Sequence, residues 1–181
     1  MFVDHTLETA PPASRRAMTG VSEKMGYLPA PVRRLAESPH LLDGFLKLSA
    51  LFEATTLDPV EREVVIFAVA TRNSCEVCVA IHTAKLAALG AAPSLVAALR
   101  EQRPLDDERL EALRVFTLEV IATAGAVDDA ALRAFLEHGF TTRNALEVVL
   151  GIGAYTTSTL ANRLTRAPLD EQLADFAWRE S

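Results

Sequence analysis

Apolar residues recur three and four positions apart through nearly every long segment of this sequence, and they almost nowhere alternate. That spacing marks helices that bury one face, because side chains three and four apart stack on the same side of an α-helix. Leu41, Leu42, Phe45, Leu48 and Leu51 predict one such helix over 38–55. The next starts at Asp58, an N-cap residue followed by Pro59 at the first helical position and by Glu61 where a capping box places it. It continues through "VVIFAVA", whose β-branched residues would suit a buried strand, but the cap and the length favour helix. "TRNS" makes a turn with Asn73 or Ser74 as N-cap, and a second helix runs from Cys75 to Leu89, ending at Gly90. Further helices are predicted at about 93–102, 106–124, 128–138 and 142–166, with a short closing helix after Pro168. Pro11, Pro12, Pro29, Pro31 and Pro39 punctuate the start, so 1–37 reads as an N-terminal arm with short helices. The expectation is an all-α fold forming one domain over 1–181.

Composition narrows the function classes. Of 181 residues, 50% are hydrophobic and 23% charged, the profile of a soluble globular protein. No apolar run approaches the roughly twenty residues that span a bilayer. The start, "MFVDHTLETAPPASRRAM", lacks a basic stretch followed by an apolar one, so no secretory leader is expected and the cytoplasm is the default location. Net charge is −6, and basic residues cluster no further than the pairs Arg15-Arg16 and Arg33-Arg34. This argues against nucleic acid or an anionic membrane as the main partner. His5, His40 and His138 have no convincing partners in the sequence and read as surface residues.

The chain has 2 cysteines, and both fall in "SCEVCVAIHT", residues 74–83. At about 100° per residue, Cys75 lies roughly 60° and His82 roughly 40° from Cys78, so the three share one narrow helical face. Glu63 lies on the preceding helix, on the face of Ile66, Phe67 and Ala70. A tight hairpin at "TRNS" would bring that face back toward His82. Because the helix beyond Glu63 is apolar all round, its carboxyl should be desolvated and its pKa raised toward the range of a general base.

These residue types suggest a chemistry. A thiolate, not a thiol, attacks a peroxide or a disulfide. His82 can withdraw the proton, Glu63 can hold the imidazole, and the helix N-terminus favours a thiolate. A second cysteine one turn away can condense with a sulfenic acid to form a disulfide. Three alternatives stand beside this reading. The pair can cycle slowly in a redox-sensing or disulfide-exchange protein whose output is a partner interaction. The cysteines can be small buried residues of a packed helix, or Cys75, Cys78, His82 and Glu63 can be a four-coordinate zinc set. Three ligands on one regular helix converge poorly, which disfavours the metal. Further along, Tyr155, Ser158, Thr159 and Asn162 form a polar arc on an otherwise apolar helix, read first as interhelical hydrogen bonding or subunit contact and second as pocket lining.

Glu63, eleven residues, Cys75, two residues, Cys78, three residues and His82 together resemble the core motif of the AhpD-like alkylhydroperoxidases, within the carboxymuconolactone decarboxylase superfamily. The similarity runs from "YLPAPVRRLAESPHLLDGFLKL" through "LEVVLGIGAYTTSTLANRL" and points to the peroxidase-related branch. The resemblance implies an AhpD-like helical fold assembling as trimers or hexamers. It also implies reduction of a hydroperoxide substrate at the expense of a thiol or dithiol reductant, with no haem, flavin or metal cofactor. By position, Cys78 corresponds to the attacking cysteine, Cys75 to its resolving partner, and His82 with Glu63 to the proton relay. One departure stands out. The best-known alkylhydroperoxidases carry a histidine between the cysteines, where this chain has Val77. The decarboxylases typically lack the cysteine pair, which argues against lactone decarboxylation here.

Overall fold

The computed structural model describes residues 2–179, and among them there are helices and no strand. The helices are α1 Pro12–Met25, α2 Ala30–Leu35, α3 Pro39–Glu53, α4 Pro59–Arg72 and α5 Glu76–Ala88. They continue with α6 Pro93–Arg100, α7 Glu108–Ala122, α8 Asp129–Glu137 and α9 Thr142–Thr165, and a 3-10 turn, Glu171–Phe176, closes the chain. The all-α architecture expected from the sequence is therefore present among the described residues. Local chemistry explains the starts. Ser38, Asp58, Asp107, Asp128 and Thr141 each accept a hydrogen bond from a backbone N–H of the first turn. At Asp58 the expected capping box is complete, with the Glu61 side chain accepting from the Asp58 N–H.

α4 is the central helix. Every residue from Glu63 to Thr71 is buried, and α5, α6, α7 and α9 pack around it, with α3 against its flank. A helix apolar on all sides is stable only when covered on all sides, which is why its sequence reads like a strand. α9 runs alongside α3 and α4, and its close approach depends on Gly151. A Cβ there would lie 2.6 Å from two ring atoms of Phe52 and 3.0 Å from Val65 Cγ1. α1 and α2 fold onto α3 and form a smaller second core of Met18, Val32, Leu35, Leu42 and Ala161.

Three details differ from the sequence reading. The closing element is a 3-10 turn rather than a helix, docked by Leu173 and by Trp178, whose Nε1–H donates to the Arg100 carbonyl at 3.0 Å. The arm contains a 14-residue helix, α1, because Pro11 and Pro12 start a helix rather than break one. His5 is buried, not on the surface: Nε2 lies 2.7 Å from Glu37 Oε2, and the extended segment around it is pinned to α2 by the Arg34–Asp4 ion pair at 2.7 Å. Residues 1–37 place these partners too far apart in sequence for periodicity to pair them.

Gly151→Ala should destabilise the protein by about 1–3 kcal/mol, the scale of overpacking a filled core, since the fully buried Phe52 ring has nowhere to retreat. Urea unfolding compared with Gly153→Ala, where a Cβ meets nothing within 4 Å, checks this.

Candidate active site

The α4–α5 hairpin builds the site. Asn73 closes α4, and Ser74 turns the chain with a positive φ of 49°. Cys75, not Asn73 or Ser74, is the N-cap of α5, so the helix starts one residue later than expected. As an N-cap, Cys75 has non-helical backbone angles (φ −88°, ψ 88°), and its Sγ swings back to Cys78. The two residues are disulfide-bonded, with Cα atoms 5.3 Å apart, inside the usual range for such a bond. Among the described residues, no three His, Cys, Asp or Glu side chains converge as a metal site.

Glu63 and His82 meet across the hairpin: His82 Nδ1 lies 2.6 Å from Glu63 Oε2. With its proton on Nδ1 donated to the carboxylate, the imidazole keeps Nε2 as the nitrogen able to take or give a proton. The Glu63 side chain is wholly buried, and its other oxygen, Oε1, sits 3.0 Å from Lys85 Nζ. Lys85 also reaches Glu53 Oε1 at 3.3 Å. Here the structure corrects the sequence reading. Burial does push the Glu63 carboxyl up, but His82 and Lys85 together pull it further down, and it ends below its ordinary value. Glu63 is held ionised between His82 and Lys85 rather than tuned as a base.

Lys85 went unrecognised in the sequence although the signal was there: Cys78, His82 and Lys85 stand at offsets of zero, four and seven on one helical face. The polar arc on α9 divides. Thr159 makes the interhelical bond expected of it, accepting from Asn73 Nδ2 at 2.8 Å, whereas Tyr155, Ser158 and Asn162 line a cavity. Asn162 Nδ2 donates to Cys78 Sγ at 3.3 Å and to Ser158 Oγ at 3.3 Å. The Tyr155 ring stands edge-on to the His82 imidazole, centroids 5.2 Å apart, and burial raises the pKa of its phenol.

These groups form one end of a cavity of about 310 Å³, lined there by Cys78, His82, Lys85, Tyr155, Ser158 and Asn162. The arm and α3 supply its apolar walls, including Val21, Met25, Pro29, Val32 and Phe45. Val77, at the position where a relay histidine was looked for, is buried in the main core. The arrangement can hold a sulfur nucleophile beside an imidazole in a mostly apolar chamber.

Lys85→Met should lower stability at neutral pH by about 1 kcal/mol, the upper end for a partly exposed ion pair such as that of Lys85 Nζ with Glu63 Oε1. The sign of the pH dependence follows from Glu63. Its depressed pKa contributes stability above the ordinary value of 4.5 that is lost as pH falls through the folded-state value. The difference between wild type and Lys85→Met should therefore shrink below about pH 4 in urea titrations. A difference constant with pH would mean that Lys85 acts by packing alone.

The model of the carboxymuconolactone decarboxylase family matches residues 39–117, which span α3 through most of α7. Among solved structures, the chain is similar to the alkylhydroperoxidase AhpD core of an uncharacterized peroxidase-related protein from Ralstonia eutropha JMP134. That match has 23% identity, a TM-score of 0.84, and covers 95% of this chain and 93% of the other. An uncharacterized peroxidase-related protein from Silicibacter sp. TM1040 follows at 20% identity and a TM-score of 0.78, covering 94% and 92%. The debrominase Bmp8, solved as a cysteine-to-alanine form with 2,3,4-tribromopyrrole, shares the fold at 16% identity and a TM-score of 0.71, covering 95% and 96%. No curated protein sequence matches the chain.

Proposed function

We propose that this chain, which has an AhpD-like fold, is a member of the carboxymuconolactone decarboxylase family and a thiol-dependent hydroperoxide reductase. The observation that carries this reading is that Cys78 and His82 line one cavity, with Glu63 fixing the imidazole at 2.6 Å from behind. Cys78 as thiolate attacks the terminal oxygen of the hydroperoxide. The O–O bond breaks, the alcohol leaves with a proton from His82, and Cys78 becomes a sulfenic acid. The Cys75 thiol then attacks the Cys78 sulfur, and the hydroxyl leaves as water with the proton Cys75 gives up, giving the disulfide seen here. An external thiol or dithiol returns two electrons and restores both thiols. Electrons pass only through sulfur, so the reaction as proposed requires no haem, flavin or metal. Asn162 supports the same reading, because an N–H donor at the sulfur stabilises a thiolate more than a thiol. Such a dithiol cycle suits a reducing compartment such as the cytoplasm. No described helix is long and apolar enough to cross a membrane.

The chain is further proposed to assemble as a homo-oligomer, a trimer or hexamer. α9 turns its site residues inward and leaves Leu146, Val149, Leu160 and Leu164 between 50% and 73% exposed on its outer side, all on one helical face. An apolar stripe of that kind is characteristic of a surface covered in an assembly. Multi-angle light scattering at micromolar concentration should return a mass of three or six chains, and a monomer contradicts the assembly.

Stoichiometric cumene hydroperoxide should remove two thiols per reduced chain and yield the Cys75–Cys78 crosslink. Cys78→Ser should neither consume peroxide nor form a dimedone adduct, whereas Cys75→Ser should form the adduct and stall after one turnover. His82→Ala should slow the first step by roughly a hundredfold and recover in part at high pH, where hydroxide makes the thiolate. Thiols that stay reduced under excess peroxide overturn the assignment. 2,3,4-Tribromopyrrole in the same assay separates peroxide reduction from a dehalogenating use of the same thiolate.

A further inference from the structure

The disulfide stands between two cavities, and each sulfur-bearing residue lines a different one. Cys78 faces the 310 Å³ chamber with His82. Cys75 is absent from that lining and belongs instead to a second pocket of about 250 Å³, formed by the α4–α5 turn, the first turn of α5 and the end of α9. Asn162 is the one residue common to both linings. A thiol that reduces a disulfide attacks one sulfur and expels the other along the S–S axis, so the side of entry decides which cysteine leaves.

The second pocket has a definite chemistry. Arg163 and Arg166 line it against a single carboxylate, Glu76. Arg163 donates to the Asn73 carbonyl, and neither arginine is in an ion pair among the described residues. Arg166 is the left-handed C-cap of α9 (φ 53°), and its carbonyl accepts from Arg34 Nη1 at 3.1 Å, so the backbone carrying this guanidinium is anchored. α5 has no side-chain cap, and Glu76 and Val77 of its first turn line the pocket, adding the positive end of a 13-residue helix. Asn162 is 3% exposed, and with its Nδ2 committed to Cys78 and Ser158, its Oδ1 is buried without a hydrogen-bond partner among the described residues. The pocket thus offers cations to an anionic group beside Cys75.

We propose that this second pocket is the entry site of the reductant, and that it selects small thiols or dithiols carrying an anionic group such as a carboxylate or sulfonate. The inference rests on the redox-cycling reading of the cysteine pair. The incoming thiolate forms a bond to Cys75 Sγ, the Cys75–Cys78 bond breaks, and Cys78 leaves as a thiolate held by Asn162 Nδ2. A second thiol, from the same dithiol or from another molecule, then attacks the reductant's own sulfur in the mixed disulfide. It expels Cys75 as a thiolate that takes up a proton, and the reductant departs as a disulfide. Reduction by this route releases the nucleophile directly into the peroxide-facing chamber, while that chamber stays free for substrate.

The test reads disulfide reduction alone, with no peroxide present, so it is independent of whether the chain turns over hydroperoxides. Oxidised protein is mixed with 2-mercaptoethanesulfonate, 2-mercaptoethanol or cysteamine, each corrected for its thiolate fraction, and the rate of protein-thiol appearance is followed. The sulfonate should react roughly tenfold faster than the neutral thiol, cysteamine should be slowest, and added salt should compress the difference. Arg166→Gln should bring the ratio of anionic to neutral rates close to one, and Arg166→Glu should reverse the order in favour of cysteamine. Near-ultraviolet circular dichroism of each variant confirms the native packing. Acid-quenched peptide mass spectrometry should place the mixed disulfide on Cys75. Equal rates for the three thiols, a charge preference unmoved by both Arg166 variants, or a mixed disulfide on Cys78 each overturn the assignment. Charge-selective reduction in a protein that leaves hydroperoxides untouched would sink the peroxidase reading and leave the entry site standing.

Discussion

A carboxylate with no solvent exposure sits near the start of the helix around which the others pack. An ion the size of a carboxylate is several kcal/mol less stable in a protein interior than in water unless it is paired and hydrogen-bonded. Glu63 is paired twice, by His82 on one oxygen and by Lys85 on the other, and both partners come from α5. The requirement to neutralise this one group therefore fixes the rotation of α5 against α4. That rotation turns Cys78, on the same face as His82 and Lys85, toward the chamber. The apolar contacts of the hairpin hold the two helices together without regard to register, and the charged contacts choose the register.

The same pairing explains why Glu63 does not behave as burial alone would suggest. Desolvation opposes the interactions with His82 and Lys85, and the two partners outweigh the burial. A permanently ionised carboxylate behind His82 favours the tautomer with its proton on Nδ1, leaving Nε2 for exchange. The site's polarity is thus layered: an anion at the back, an imidazole in front of it, and the sulfur beside the cavity.

How much of this was legible in the sequence depends on whether the relation is local. Cys78 and His82 align because α5 carries both, and helical geometry converts spacing into direction. Cys75 stands just outside that helix as its N-cap, so its pairing with Cys78 depends on the turn. The approach of Glu63 followed from a tight turn, three residues long in the structure, between two helices. Lys85 was equally local but was passed over, because a lysine on a half-buried helix usually reads as solvated surface. Asn162 is different in kind. Its contact with Cys78 depends on where α9 passes α5, and no spacing within either helix encodes that crossing. The proline-rich start suggested short helices, but that α1 and α2 wall the chamber depends on how the arm folds back, a long-range fact carried by pairs such as Asp4–Arg34 and His5–Glu37.

That arm has a consequence beyond covering the chamber. The reactive side chains lie on α4, α5 and α9 within the larger core, whereas Val21, Met25 and Val32, which shape the opposite walls, belong to the helices of the smaller core or its edge. Sequence drift in those wall positions changes the volume and outline of the chamber while touching few contacts of α4 and α5. On the proposed function, the architecture separates what is recognised from how it is transformed, so a lineage built on this plan can exchange substrates while inheriting one unaltered cysteine–histidine site.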